Sequence, residues 1–325
     1  MSAVVVIGSF NVDHVWQCDA LPAPGATIAG RYTTGPGGKG FNQAMASART
    51  GASTAFVCAL GNDPGGALAR ALCDDNAIEL RAERSADLTG TAGIYVDARG
   101  RNTIIVGAGA NAALAPEFVA QQQALIGASK VVLAQLESPA ESVLTALRLA
   151  RELGACVLLN PAPSNASTTM EMLSLVDILT PNETEFSALL ARHVGERIEP
   201  DDVSSCDGAR LHAACRELLR DGSVVVTLGS AGAFVSHPDS SAHDEGKSYY
   251  RIAAEPASTV DSTGAGDAFN GALAASWAMQ PELAFADHLR FATRYAALST
   301  EHAGAALAMP RRDEVTARFG DKVPG

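Results

Sequence analysis

Short, wholly apolar runs set apart by longer mixed segments recur along this chain. Val4-Val5-Val6-Ile7 ends at Gly8, and residues 54–60, Val131–Leu133, Cys156–Asn160, Ile178–Thr180 and Val224–Thr227 have the same character. Runs this short and this apolar predict strands buried on both faces. Helical spacing marks 65–75, 283–298 and 311–319, and from 115 to 230 helical segments alternate with the apolar runs. Such alternation predicts a mostly parallel sheet with helices on both faces, an α/β fold. Ligands of these sheets bind beyond the carboxyl ends of the strands.

A second pattern interrupts the first. Gly93–Val96 and Asn102–Val106, with the polar turn Asp97–Arg101 between them, predict a hairpin. Residues 15–34 hold short β-like pieces broken by Pro22, Pro24, Gly25 and Gly30. Together they predict a small sheet apart from the main one. Without an internal repeat or a low-complexity linker, residues 1–325 read as a single domain carrying that insertion. Two polar stretches, 193–207 and 237–247, read as mobile inserts. His237 and His243 fall in the second, where a solvated loop tip is favoured over a metal site.

The chain has 325 residues, 47% of them hydrophobic, enough for a full core. Its formal net charge of −12 argues against non-specific binding to nucleic acid or to an anionic membrane. An anionic substrate would need a local basic or amide-lined pocket. The six cysteines include no Cys-x-x-Cys pair, which favours free thiols over disulfides or zinc. Residues 1–7 read as a first strand rather than a signal peptide, and no run is long enough to span a bilayer. A cytoplasmic protein is expected.

The chemistry concentrates at Asp261-Ser262-Thr263-Gly264-Ala265-Gly266-Asp267-Ala268-Phe269-Asn270-Gly271. Phe269, Leu273 and Trp277 recur at four-residue spacing beside Ala272, predicting a helix that Pro281 stops. The glycine turn then lies at a helix N-terminus, where unpaired N–H groups and the dipole attract anions. Small residues at Gly264, Ala265 and Gly266 let a phosphate approach the backbone. Asp267, in the first turn beside that anion hole, is placed to take a proton from an attacking hydroxyl. An Asp N-cap with a tight turn is the plainer alternative, and it explains less well an acid that would repel phosphate.

Other polar groups sit at strand ends. Asn11 and Asp13 are two apart, so on an extended chain they point the same way, although spacing alone favours an Asx-turn. Gly35-Pro36-Gly37-Gly38-Lys39-Gly40-Phe41-Asn42-Gln43 is a glycine-rich turn feeding a helix; it is not a Walker motif, and alone it reads as a flexible loop. Gln135-Leu136-Glu137, Asn160-Pro161, Thr180-Pro181-Asn182-Glu183-Thr184-Glu185 and Thr227-Leu228-Gly229-Ser230-Ala231-Gly232 each follow a strand. Asn182 with Glu185 also forms a capping-box pattern.

The Asp261–Gly271 stretch resembles, nearly letter for letter, the C-terminal signature of the ribokinase-like (phosphofructokinase-B type) carbohydrate kinases. Gly-Gly-Lys-Gly-x-Asn-Gln-Ala from Gly37 and Gly109-Ala110-Asn111 are similar to that family too, and the resemblance runs from Gly8 to Pro310. It implies a doubly wound α/β fold with a small β lid from about 15–34 and 93–106, often the homodimer contact. It implies ATP-dependent phosphorylation of the 5-hydroxyl of D-ribose, with fructokinase, nucleoside kinase or another sugar kinase as alternatives. A catalytically dead sugar- or nucleotide-binding regulator is a further rival that an intact Asp267 disfavours. Asp267 would be the base. Asn11, Asp13, Gly37, Gly38, Lys39, Asn42 and Glu137 would bind the sugar. Asn182, Thr227, Gly229, Ser230, Gly232, Gly266 and Thr293 would bind the nucleotide. Asn182 and Glu185 would place Mg²⁺ through water. Asp261, with carbonyls of Thr263, Ser299, His302 and Gly304, would hold an activating K⁺. The departures are Phe41, where many members have a small residue, which leaves the sugar open, and Ala308, where many have Ser.

Overall fold

A computed structural model describes residues 2–238 and 247–320. In chain order its strands are β1 (Val4–Ile7), β2 (Asn11–Cys18), β3 (Arg31–Gly37), β4 (Thr54–Leu60), β5 (Glu79–Arg84), β6 (Gly90–Asp97), β7 (Asn102–Gly107), β8 (Val131–Ala134), β9 (Cys156–Leu159), β10 (Ile178–Leu179), β11 (Ser223–Thr227), β12 (Ala233–Ser236) and β13 (Tyr249–Ile252). Nine form one sheet in the order β13-β12-β11-β10-β9-β8-β1-β4-β5, and four form a second in the order β3-β2-β6-β7. The large sheet is parallel from β5 to β11, with β12 and β13 running antiparallel at one edge.

The apolar runs follow from burial on both faces. Val5, Ile7, Val132, Val157 and Val224 join one core cluster with the helices Ala140–Leu153, Glu183–His193 and Gly208–Leu218. Their neighbours Val4, Val6, Leu133, Leu158 and Val225 join another with Lys39–Thr50, Ala265–Met279 and Phe285–Ser299. Period-two side chains of these inner strands therefore feed two cores, and none of them shows a polar face. Among the described residues no helix is long and apolar enough to cross a membrane.

The order of strands sets the site. From β1 the chain builds outward through β4 and β5, then returns to β8 and builds the other way through β9, β10 and β11. A crevice opens beyond the carboxyl ends of strands where such an order reverses. Strand β2 starts four positions after β1 ends, so the small sheet rises directly beside that crevice.

Several expectations shift. Strands β5, β12 and β13 were not foreseen; β5 is the edge strand Glu-Leu-Arg-Ala-Glu-Arg, whose only apolar positions, Leu80 and Ala82, pack inward. The segment 193–207 is not simply a mobile insert, because Ile198 and Val203 are buried and Pro200–Val203 is helical. His237 is not a solvated tip: it is fully buried, its Nδ1 within 2.8 Å of Ser223 Oγ. His243 and most of 237–247 lie outside the described residues. The helix Ala265–Met279 ends before Pro281 as expected, yet it is buried all round from Asp267 to Ser276 because helices flank it on both sides.

Candidate active site

The helix Ala265–Met279 begins at Gly264, whose φ of 77° is left-handed and suits glycine. A Cβ there would also lie 3.0 Å from Ala305 Cβ, so the turn and the 304–306 loop pack together only around a glycine. Asp267 sits in the first turn, 5% exposed. Its Oδ2 accepts from Asn42 Nδ2 and its Oδ1 from Gln43 Nε2, both at 2.9 Å. Burial pushes the Asp267 carboxyl up from its ordinary range, opposed by Lys39 and by those two amides, while Glu137 pushes it further up. The charge on Asp267 in turn raises Lys39, against the effect of burial. A raised carboxyl beside a cation suits a proton acceptor.

On the small-sheet side the helix Lys39–Thr50 starts from Gly38, whose φ of 88° and close approach to the Asn11 nitrogen exclude a side chain. Glu137 Oε2 accepts from Ser9 Oγ at 2.6 Å and from the Lys39 N–H at 3.0 Å. Asn11 Oδ1 accepts from Asn111 Nδ2 at 2.8 Å. Both Asn11 and Asp13 lie on β2 rather than in an Asx-turn. A Cβ on Gly37 would lie 2.1 Å from Asp13 Oδ2, so the glycine makes room for that carboxylate. Burial first, then Glu137 and Asp267, push Asp13 up to about 7. Asn11 and Glu137 line an open cavity of about 400 Å³. Phe41, by contrast, turns away from the site: it is fully buried, edge-to-face with Phe10 at 5.0 Å. It fills the core.

A cavity of about 750 Å³ lies on the other side of the turn, lined by Asn182, Thr227, Gly229, Ser230, Gly232, Gly266 and Thr293. All seven positions expected to bind nucleotide are thus gathered. A smaller polar cavity, about 160 Å³, includes Lys39, Asn182, Glu185, Thr227, Gly264 to Gly266 and Asp267. It brings Asp267, the glycine turn and residues of the larger cavity to one point. The capping box is present: Asn182 Oδ1 accepts from the Glu185 N–H and Glu185 Oε2 from the Asn182 N–H. Glu185 is buried, which raises its carboxyl.

Asp261 does not cap the helix, since Gly264 holds that position. Its Oδ1 accepts from Thr263 N–H at 2.9 Å and Thr263 Oγ at 2.7 Å, and its Oδ2 from Gly304 N–H at 2.9 Å. Desolvation pushes Asp261 up, but these donors outweigh it and hold the carboxyl below its usual range. Asp261, Thr263 and Gly304 are therefore tied together. Ser299 spends its hydroxyl on the Ala296 carbonyl, and His302 is exposed.

Sequence reasoning missed Ser9, Gln43, Asn111, Gln135, Asn160 and Asn270 as site residues. Asn111 grips Phe10 through both its N–H and its carbonyl, Asn160 Oδ1 accepts from Gln43, and Asn270 donates to the Gly266 carbonyl. Each is a buried polar residue just past a strand, in the first turns of a site helix or, for Asn111, in the short turn Gly109–Ala113, which was the available signal.

Comparison with known proteins agrees with this fold. Residues 1–312 match the pfkB family carbohydrate kinase. The ribokinase of Haemophilus influenzae is 36% identical over 315 residues, 96% of each chain. The ribokinase structure from Giardia lamblia superposes with a TM-score of 0.86 at 28% identity, covering 98% of this chain and 100% of that one. The Arabidopsis thaliana ribokinase complexed with ribose and ATP superposes with a TM-score of 0.81 at 31% identity, over 97% and 98% of the two chains. The chain belongs to the pfkB family of carbohydrate kinases.

Proposed function

We propose that this chain transfers the γ-phosphoryl group of ATP to the 5-hydroxyl of D-ribose, giving D-ribose 5-phosphate. The single observation that carries the reading is Asp267: one buried carboxylate at a helix N-terminus, bonded to Asn42, within electrostatic reach of Asp13 and Glu137, and lining the small cavity that also holds Asn182 and Thr227. Asp267 takes the proton as the hydroxyl oxygen attacks phosphorus. The bond from phosphorus to the β-phosphate oxygen breaks, and ADP leaves with that electron pair. The N–H groups of Gly264 and Gly266, with Lys39 and with the Ala265 N–H once it turns from the Ser262 carbonyl that it bonds at 3.2 Å, offset the charge that spreads over the transferring group. Asn11, Asp13, Gly37, Gly38, Lys39, Asn42 and Glu137 hold the sugar. The ribokinases among its relatives, one of them complexed with ribose and ATP, support ribose over other sugars.

Mg²⁺ supplies charge neutralisation on the phosphates. The described residues hold no cluster of three or more His, Cys, Asp or Glu fit to cage a metal. That suits an ion carried by ATP and water, with Asn182 and the Glu185 oxygen outside the capping box as its outer contacts. The small sheet acts as the lid over the sugar. The exposed Ile104, Ile105 and Val106 on its edge strand β7 support a homodimer through that lid. All six cysteines are free, which supports a cytoplasmic enzyme.

The test is a panel of pentoses, hexoses and nucleosides compared by kcat/KM. Ribose should rank first, and its addition should change the emission of Trp16, which lies in the small sheet. A hexose or nucleoside ranking first would replace ribose as the substrate.

We also propose that Asp261 and the carbonyls of Thr263, Ser299, His302 and Gly304 hold K⁺. Its weak hydration lets carbonyl oxygens replace water. The depressed carboxyl of Asp261 and its tie to Gly304 fit such a site. Activity should be higher in K⁺ than in Na⁺ at equal ionic strength, and Asp261→Ala should abolish the difference. Equal rates of the unaltered enzyme in the two salts would leave Asp261 as a brace between two loops.

A further inference from the structure

Two amides hold the Asp267 carboxylate, and only one of them is itself held. Gln43 is fully buried on the helix Lys39–Thr50. Its Oε1 accepts from Gln135 Nε2 at 2.5 Å, and its Nε2 donates to Asp267 Oδ1 at 2.9 Å and to Asn160 Oδ1 at 3.1 Å. Gln135 is fully buried just past the end of β8. Gly8 leaves room for it, since a Cβ there would lie 2.1 Å from Gln135 Oε1. Asn42 lacks such a lock, because its buried Oδ1 has no partner among the described residues.

A primary amide can turn either its oxygen or its nitrogen toward a neighbour. With Oε1 committed to Gln135, Gln43 can offer Asp267 only N–H. An N–H favours the ionised acceptor and fixes the rotation of the carboxylate. We propose that Gln43 and Gln135 are positioning residues for phosphoryl transfer: Gln135 locks the amide of Gln43, and Gln43 holds Asp267 ionised and aligned. The inference rests on Asp267 being the base.

The same chain of bonds continues to the anion turn. Asn160 Nδ2 donates to the Thr180 carbonyl at 2.9 Å, Thr180 Oγ to Asn270 Oδ1 at 2.5 Å, and Asn270 Nδ2 to the Gly266 carbonyl at 2.8 Å. Base and amide hole thus share one buried scaffold. The other charged groups acting on or with Asp267 are Lys39 on the same helix as Gln43, Glu137 after β8, Asp13 on β2 and Glu185 on the helix Glu183–His193. Both Asn42 and Gln43 favour the ionised carboxylate against burial.

The variants Gln43→Met and Gln135→Met keep side-chain length and remove the polar ends. For Gln43→Met we expect kcat to fall about tenfold, KM for ribose and ATP to hold within about twofold, and the acid limb of the kcat–pH profile to move to higher pH. Gln135→Met should move the limb in the same direction by less. Gln135 has no bond to Asp267, so its effect can pass only through Gln43. If Gln43→Met does not fold, Gln135→Met decides alone. Acid limbs unchanged in variants that fold, whether or not their melting temperatures drop, would reduce the pair to core filling and overturn the inference. Asp267→Asn separates the two readings. If it abolishes turnover while the glutamine variants behave as the unaltered enzyme, only the positioning role falls. If it retains turnover, the base falls as well.

Discussion

Asp267→Asn lowers kcat by about two to four orders of magnitude, the usual range for loss of a general base, while ribose and ATP still bind. The substitution keeps the shape of the side chain and removes the proton acceptor. Its fold should survive for a reason visible in the hydrogen bonds. Asp267 accepts one N–H on each oxygen, from Asn42 and from Gln43. An amide at 267 can keep its oxygen toward Gln43 and turn its NH₂ toward Asn42. Asn42 can then rotate its amide and present the Oδ1 that has no partner. No buried donor is left facing another donor, and burial no longer penalises a charge. A thermal melt should therefore show the variant at least as stable as the unaltered enzyme at neutral pH. Near-normal kcat in such a folded variant would sink the assignment of the base.

The acid limb of the same reaction follows from the direction of the Asp267 shift. The proton acceptor must be ionised, so kcat rises with pH as Asp267 loses its proton. Burial places that loss above the ordinary carboxylate range, with Lys39, Asn42 and Gln43 pulling it back. Bound ATP brings further negative charge to the turn and opposes ionisation, whereas Mg²⁺ offsets that charge. A carboxylate beside the proposed anion hole is workable because Lys39 and the Asn42 and Gln43 amides offset its charge.

What was legible in the sequence is what local chemistry dictates. β4 coincides with the predicted 54–60 because a strand buried on both faces has to be apolar throughout. The proposed base could be picked out locally because its partners in the proposed anion hole, Gly264 to Gly266, are its chain neighbours. The four-stranded sheet was legible as a hairpin plus fragments, but not its order, because β2 pairs with β6 across almost eighty positions of intervening chain. Long-range side-chain bonds were invisible for the same reason. Gln43 meets Asp267 across 224 positions and Asn111 meets Phe10 across 101. β5 was missed because an edge strand with a wet face carries charge. His237 was misread, and the place of Phe41 was left open, because composition around a residue does not tell which way it points. Phe41 is in a glycine-rich motif yet faces Phe10 and Phe56, and His237 is in a polar stretch yet packs edge-on against Phe285.

Asp13 should show opposite effects on binding and on stability. Its carboxyl, pushed up to about 7 by burial and by Glu137 and Asp267, is ordered on β2 beside Gly37. In the unfolded chain it would titrate near its ordinary value of 3.8. The folded protein therefore holds this proton over a window, from about pH 4 to about 7, in which the unfolded chain has lost it. Stability falls as pH rises through that window, and above it the penalty is complete, on the order of 2–4 kcal/mol after allowing for partial exposure. Asp13→Asn should thus raise the melting temperature of the ligand-free protein at pH 8 and leave it nearly unchanged at pH 4. Ribose reverses the balance. Sugar hydroxyls donate to the ionised carboxylate, so binding should release a proton and tighten as pH climbs toward 7. Removing the carboxylate with Asp13→Ala strands the hydroxyls it served, and ribose affinity should drop by about two to three orders of magnitude, with ATP affinity little changed. Calorimetric titration of both ligands at pH 6 and pH 8 decides the matter. Equal losses for ribose and ATP, or ribose affinity that ignores pH in the unaltered protein, would remove Asp13 from the sugar site and leave it a strained acid on a strand.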